Sequence, residues 1–310
     1  MAKQNIARTG RCVDIRQVTC ALVAGGVMCL ADAASAGQPE AWGMYLQPGA
    51  SPVRDHMDSF HTLLMWTITF IALFVTGLLA YVILRFNKRA HPKPDQFAHN
   101  TTLEVVWTAV PIIILFVIAI PSMQLLYFGD RIAKSDMTIK VVGHQWYWSY
   151  EYPDHGNFSL DARALWDGPA TTDQQALDLA KEVSSKWLIP TDPPLRLLET
   201  DNRMVVPVGA NIRILLAATD VLHAWYVPAL GVQAATVPGR LNEVWFKADR
   251  EGVYYGQCTQ ICGTGHGYMP TVVEAVSPER FAAWVKSKQT TGAIEPQSDD
   301  VQLATAKAAR

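Results

Sequence analysis

Two long stretches without a charged residue constrain the fold of this chain more than any other feature. They are Thr62–Leu84 and Val105–Phe128, of 23 and 24 residues. As α-helices, stretches of this length cross the hydrocarbon core of a bilayer, which is about 30 Å thick. Pro111 and Pro121 lie in the second stretch, where a membrane helix tolerates them if neighbouring groups satisfy the freed carbonyls. The sequence therefore predicts a transmembrane hairpin over residues 61–128, packed beside helices of another subunit.

The basic residues near this hairpin predict its orientation. The loop between the two stretches carries four of them, whereas the segment at 37–60 carries only Arg54. Because basic loops stay in the cytoplasm, residues 37–60 and everything after about Gly129 are expected outside it. This places the chain in the bacterial inner membrane with its C-terminal domain in the periplasm. The basic loop residues are Arg85, Lys88, Arg89 and Lys93.

The first 36 residues are typical of a secretory signal peptide. Basic residues are followed by the apolar run Val18–Ala33 and by Ala34-Ser35-Ala36, an A-x-A cleavage pattern. The alternative is a short additional transmembrane helix. Cleavage after Ala36 would leave Cys258 and Cys262 as the cysteines of the mature chain.

Beyond the hairpin, the sequence predicts one β domain at residues 129–286. Short β-rich runs separated by turn residues favour a sandwich or Greek-key barrel. A helical insertion is expected at 172–187, opened by a Thr172-x-x-Gln175 capping box, and a short helix at Ser277–Trp284. Residues 287–310 are polar and predict a disordered tail. The runs are Thr138–Tyr152, Arg203–Val208, Asn211–Ala217, His223–Val227, Arg240–Lys247, Gly252–Gly256 and Thr271–Val276.

The net charge of the chain is −2. This excludes the strongly basic footprint that a nucleic-acid partner requires. A nucleic-acid partner is therefore not expected for this chain.

A cluster of sulfur and imidazole side chains follows one predicted strand. Cys258, Cys262, His266 and Met269 fall within twelve residues, and His223 lies 35 residues before the first of them. Thiolate, thioether and imidazole together favour copper; zinc has no use for Met, and a mononuclear blue-copper site needs one Cys. Two thiolates can bridge two copper ions. The alternatives are a disulfide between the cysteines and histidines that only fill the core.

These motifs resemble the dinuclear copper (CuA) domain of cytochrome c oxidase subunit II. The resemblance extends over the mature chain and includes Gly143-His-Gln-Trp146-Tyr-Trp148-Ser-Tyr150 and Val237-Pro-Gly239-Arg240. It implies two N-terminal transmembrane helices followed by an all-β, cupredoxin-like Greek-key domain. The copper ligands that it implies are His223, Cys258, the main-chain carbonyl of Gln260, Cys262, His266 and Met269.

The resemblance also implies a function and partners. Electrons from reduced cytochrome c reach the copper centre and continue to a haem-bearing subunit I, where oxygen is reduced to water with proton pumping; subunit III completes the membrane assembly. Trp146 is then the point where electrons enter, the alternative being ordinary strand packing. Glu104 is then the mouth of a proton channel, the alternative being an acid that favours a helix N-terminus. Five acids could form a docking face for a basic cytochrome c: Glu151, Asp154, Asp161, Glu199 and Asp201.

Two positions depart from the family pattern. Gln260 stands where the family has Glu, whose carboxylate reaches a magnesium ion shared with subunit I, and Ala235 replaces a nearby acid. A backbone carbonyl does not depend on the side chain, so the copper site is expected to survive. Magnesium prefers carboxylate oxygen, so the sequence predicts a weakened magnesium site.

Three other functions share parts of this pattern. The first is a component of a nitrous oxide or nitric oxide reductase. A nitrous oxide reductase is expected to be soluble and rich in histidine, so eight histidines and two predicted membrane spans argue against it. A copper delivery or storage module is expected to show Met-rich or His-rich runs. A quinol oxidase subunit shares the architecture without the copper ligands.

Overall fold

Two long helices precede the β domain in the computed structural model, which describes residues 37–93, 96, 98–131 and 134–290. Helix α1 (Pro52–Arg85) and helix α2 (Thr101–Asp130) have apolar windows of mean hydropathy 2.4 and 2.6, neither of them buried within the chain. Such surfaces face lipid or other subunits. The two predicted membrane helices are confirmed, while the predicted signal peptide at 1–36 lies outside the described residues.

The first turn of α1 is packed into the β domain. Ser51 caps the helix by accepting a hydrogen bond from Arg54 N at 3.1 Å, and its hydroxyl donates to Leu230 O at 2.7 Å. Ser51 and Arg54 are buried. The helix therefore begins nine residues before the predicted membrane segment and connects it directly to the domain that follows.

In the described part of the chain, the β domain contains ten strands in three sheets. A five-stranded sheet has the order β3-β2-β1-β5-β8, a second the order β4-β10-β9, and β6 pairs with β7. Strand β1 runs parallel to β5, so neighbours in the sheet are far apart in sequence. The strands are β1 Met137–His144, β2 Tyr147–Tyr152, β3 Phe158–Ala162, β4 Met204–Pro207, β5 Asn211–Ala218, β6 His223–Val227, β7 Val232–Thr236, β8 Asn242–Lys247, β9 Gly252–Gln257 and β10 Pro270–Val276.

The core lies between the sheets and is filled by side chains that alternate along the strands. On β2, Trp148, Tyr150 and Tyr152 are fully buried while the residues between them are not, which is the period of a strand with one face on the core. The two-helix and β-sheet architecture predicted from the sequence is confirmed. It places the ends of β1, β5, β6 and β9 around one site.

Two helices of the β domain match their predictions. Helix α3 (Asp173–Val183) begins at the Thr172 capping box and continues as a 3₁₀ turn at Ser184–Lys186. Helix α4 (Pro278–Thr290) is longer than predicted, so residues 287–290, assigned to the tail, are helical. The rest of the predicted tail lies outside the described residues.

Candidate metal centre

The sulfur and imidazole side chains of the loop between β9 and β10 converge. The sulfurs of Cys258 and Cys262 are 4.0 Å apart. Cys262 Sγ lies 3.6 Å from His266 Nδ1 and 3.5 Å from Met269 Sδ. A 3₁₀ turn at His266–Tyr268 folds the loop back so that these groups meet.

His223 joins this cluster from another part of the sheet system. It is the first residue of β6, is fully buried, and has its ring nitrogen within 4.8 Å of both thiols. Nε2 is 2.8 Å from Asp220 Oδ1, whereas Nδ1 has no hydrogen-bond partner among the described residues. Gly143 leaves room for the ring, since a Cβ there would lie 2.9 Å from His223 Cδ2.

The donor set fits copper. Cys258 and Cys262 are both free thiols and both buried, so the disulfide alternative does not describe this structure. A metal–thiolate bond is about 2.3 Å long, so one ion can contact both sulfurs. A buried imidazole nitrogen without a partner is costly unless something binds it. Thioether and thiolate sulfur beside imidazole select copper over harder metals.

Mutual effects between these groups separate the two thiol pKa values. Burial raises the pKa of Cys258, but the nearby imidazole of His223 and the backbone of Ala224 stabilise the thiolate and lower the pKa to about 7. Burial, together with the negative charge of Cys258, raises the pKa of Cys262 to about 12. Cys258 therefore gives up its proton more readily than Cys262, and metal binding has to displace the thiol protons.

Trp146 lies at the tip of a hairpin directly over the ligand loop. Strands β1 and β2 pair from His144 opposite Tyr147, so Gln145 and Trp146 form a two-residue turn. Trp146 Nε1 donates to Cys262 O at 3.2 Å, and Gln145 Nε2 donates to the same oxygen at 2.9 Å. Trp146 keeps 36% of its surface exposed and therefore connects solvent with a cysteine of the cluster.

Two glycines of the ligand loop allow this approach. A Cβ on Gly265 would lie 2.3 Å from Trp146 Cδ2, and one on Gly263 would lie 3.0 Å from Trp146 Cζ2. Gly263 also has a φ of +119°, where other residues are strained. These residues were not identified from the sequence, although glycines between ligands are a sign of close contact.

A second tryptophan supports the cluster from the core. Trp148 is fully buried, donates from Nε1 to Met269 O at 3.3 Å, and meets the His223 ring edge to face at 5.9 Å. It thereby fixes two predicted ligands at once.

Glu104 lies far from the cluster, in the first turn of α2. Its carboxylate accepts a hydrogen bond from Asn100 N at 3.3 Å, and Asn100 caps the same helix by accepting from Leu103 N. These are the contacts expected of an acid at a helix start.

The predicted docking face is wrong for Glu199, which is fully buried. Glu199 and Arg203 form a two-point ion pair at 2.8 and 3.0 Å. Glu151 is mostly buried too and pairs with Lys140 at 3.1 Å. Both acids are thus engaged inside the protein. The acids that line the open groove of about 500 Å³ beside Trp146 are Asp167, Glu182 and Asp201, accompanied by Arg163 and Lys186.

The two departures from the family pattern lie on the exposed side of the ligand loop. Gln260 is exposed, and Ala235 is exposed on the neighbouring strand β7. The loop is tied to β7 by a hydrogen bond from Gln233 Nε2 to Thr259 Oγ1 at 3.2 Å. The main-chain oxygen of Gln260 lies 3.3 Å from Cys258 Sγ, so the carbonyl meets the cluster.

Two family descriptions match the chain over most of its length. The description "Cytochrome C oxidase subunit II, periplasmic domain" matches residues 137–276. The description "Cytochrome C oxidase subunit II, transmembrane domain" matches residues 39–125. The matches coincide with the β domain and with the helical hairpin.

Individual proteins show the same similarity. The probable cytochrome c oxidase subunit 2 of Rickettsia bellii is 42% identical over 268 residues, which cover 86% of this chain and 92% of the relative. That of Rickettsia felis is 43% identical, over 83% and 75% of the two chains. The crystal structure of the periplasmic domain of subunit II from Bradyrhizobium japonicum is 40% identical and covers 53% of this chain and 100% of that chain, with a TM-score of 0.43. The chain therefore belongs to the cytochrome c oxidase subunit II family.

Proposed function

We propose that this subunit accepts electrons from reduced cytochrome c at a dinuclear copper centre on the periplasmic side of a bacterial inner membrane. It passes them to the haem-bearing subunit I, where oxygen is reduced to water with proton pumping. The observation that carries this proposal is the convergence of two free thiols, two imidazoles and a thioether beneath the partly exposed Trp146.

The ligands of the copper pair are proposed from this convergence. The copper pair would be held by the sulfurs of Cys258, Cys262 and Met269, by the imidazoles of His223 and His266, and by the main-chain carbonyl of Gln260. When bound there, copper supplies a one-electron carrier. The cysteines and Met269 are at most 4% exposed, so water is excluded from the sulfur ligands and the packed β scaffold holds them still.

Trp146 is proposed as the contact between cytochrome c and this ligand set. Its indole is reachable from solvent, and its N–H is bonded to the carbonyl of Cys262. The adjoining groove contains the exposed acids Asp167 and Glu182 together with the exposed bases Arg163 and Lys186, so a docking partner meets charges of both signs beside Trp146.

The other proposed partners are subunits I and III of the oxidase, as expected for a member of this family. Apolar faces of α1 and α2 are exposed over their full membrane windows, which leaves them free to pack against subunits I and III. Glu104 faces a groove of about 390 Å³ on α2, shared with Thr101 and Thr108. We retain it as a candidate for the mouth of a proton channel whose other wall comes from subunit I.

Replacing Trp146 by Phe tests the proposed route of the electron. Trp146→Phe should slow oxidation of reduced cytochrome c by about tenfold or more, equivalent to roughly 1.4 kcal/mol in the barrier, because the indole and its N–H are lost. Copper content and the affinity for cytochrome c should stay unchanged. Stopped-flow kinetics on the assembled oxidase measure both the transfer rate and the affinity.

The control is Trp42→Phe, the same exchange at a residue that is 97% exposed. It should leave transfer and binding as they are. A weaker affinity with unchanged transfer inside the complex would show that Trp146 acts only as a packing residue.

A further inference from the structure

Asp220 joins two parts of the proposed site that the sequence leaves separate. It lies in the turn between β5 and β6, three residues before His223. Its Oδ1 accepts from His223 Nε2 at 2.8 Å and from Val221 N at 2.6 Å, and its Oδ2 accepts from Gln145 N at 2.6 Å. One carboxylate therefore contacts both the buried imidazole and the hairpin tip that carries Trp146.

The contact with His223 determines which ring nitrogen is available to a metal. An ionised carboxylate only accepts hydrogen bonds, so Nε2 carries the proton and Nδ1 keeps its lone pair. In the described chain Nδ1 is buried and has no hydrogen-bond partner, and His223 is the imidazole that lies within 4.8 Å of both thiols. A carboxylate behind a metal-binding imidazole fixes the tautomer and increases the basicity of the ligand.

The contact with Gln145 fixes the hairpin tip from the opposite direction. The tip already donates two hydrogen bonds to Cys262 O, from the side chains of Gln145 and Trp146. The backbone N–H of Gln145 has the Asp220 carboxylate as its acceptor. The tip is thus held between the segment that carries Cys262 and the segment that carries His223.

We infer that Asp220 is a positioning residue for electron transfer: its carboxylate sets the tautomer of His223 and ties the Trp146 turn to that same ligand. The inference rests on the proposed function, and it assigns Asp220 a role besides any contribution to surface charge. An amide cannot perform both tasks, because Asn has one acceptor oxygen and its NH₂ would face a second donor.

Asp220→Asn in the assembled oxidase tests the inference. Copper should be lost to a chelator about 10–100-fold more readily, as for other partners of metal-bound histidines. The midpoint potential should rise, because a less basic imidazole stabilises oxidised copper less. The copper EPR spectrum should change, and electron uptake from cytochrome c should slow.

The matched control is Asp154→Asn. This substitution removes the same charge as Asp220→Asn. Asp154 also accepts a hydrogen bond from a backbone N–H, that of Thr138 at 2.7 Å, but at the opposite end of β1. It should leave copper retention, potential and spectrum unchanged. If Asp220→Asn behaves like Asp154→Asn in all three, the positioning role is excluded and Asp220 is a surface charge only.

The tautomer of His223 can also be measured on the unmutated chain, so this test does not depend on the folding of a variant. Nitrogen-15 NMR of the copper-free full chain in detergent, assigned by comparison with His223→Gln, should show His223 protonated on Nε2. Protonation on Nδ1 would overturn the inference. If the unmutated oxidase itself lacks a dinuclear copper spectrum, it is the proposed function that fails.

Discussion

The main chain and the side chain of Gln260 are expected to serve two different metal sites, copper and magnesium. Its main-chain oxygen faces Cys258 Sγ while its side chain lies at the exposed surface. The carbonyl is available whatever the side chain is, so copper binding does not depend on having Gln there. Magnesium binding is expected to depend on it, because an amide lacks the charge that offsets the cost of stripping water from a small hard cation.

We therefore expect Gln260→Glu to tighten binding of magnesium or manganese at the interface with subunit I, without altering the copper spectrum. Manganese EPR on the assembled complex, titrated with a chelator, measures the change. Ala235→Asp, at the second departure on the same side of the domain, provides a comparison. Equal manganese retention in the unmutated complex and in the Gln260→Glu variant would show that ligands from the partner suffice.

The proposed ligands could be predicted from the sequence because their spacing is itself the signal. Four of the five side-chain ligands fall within one loop, and the chemistry of sulfur and imidazole identifies the metal class. Asp220 and Gly265 could not be predicted in the same way. Their roles depend on contacts with Gln145 and Trp146, which lie far earlier in the chain. The roles of Asp220 and Gly265 can therefore be recognised only from the tertiary structure.

At the scale of elements, a buried charge cluster holds the segment after α3 against the second sheet. Arg203 pairs with Glu199, donates to Ile189 O at 2.7 Å and lies 3.6 Å from Glu274. Ile189 N donates to Glu274 Oε1, and Trp187 covers the guanidinium at 4.3 Å. Two carboxylates therefore share one guanidinium in the interior.

This imbalance predicts a pH dependence of stability. Burial raises the pKa of Glu274, against the opposing attraction of Arg203. A carboxyl whose pKa is higher in the folded state contributes stability below its unfolded pKa, and that contribution is lost as the pH rises through the folded pKa. The free energy of unfolding should thus fall as the pH rises from about 4.5 toward neutrality.

Glu274→Gln should raise stability at neutral pH and flatten this dependence, since one buried charge is removed while the acceptor for Ile189 N remains. Glu199→Gln is the matched control; it breaks the two-point pair and should destabilise by about 3–5 kcal/mol. Thermal unfolding followed across pH distinguishes them. A Glu274→Gln protein that is less stable at neutral pH would contradict the assignment.

The elements that sequence patterns missed have identifiable causes. The run Thr138–Tyr152 was predicted as one segment, but it folds back at Gln145 and Trp146, which lack the Gly, Asn or Asp of common hairpin turns. Hydrogen bonds to Asp220 and Cys262 hold the turn instead. Strand β7 contains Ala234 and Ala235, residues of weak β propensity, and forms by pairing with β6.

At the scale of the whole molecule, the membrane hairpin and the β domain are connected by packing as well as by the chain. Phe128 at the end of α2 meets Trp245 of β8 edge to face at 5.8 Å and stacks on His56 of α1 at 4.3 Å. Composition and hydropathy predicted both parts, but their junction depends on these aromatic contacts and on the buried Ser51 bonded to Leu230 O, which periodicity does not encode.

EPR spectroscopy on copper-loaded full-length protein tests for the proposed dinuclear copper centre. Two ions sharing one unpaired electron through Cys258 and Cys262 should give a mixed-valence spectrum, with two coppers per chain by metal analysis. Cys258→Ser should abolish that spectrum. A spectrum from one isolated copper(II), at one copper per chain, would contradict the account.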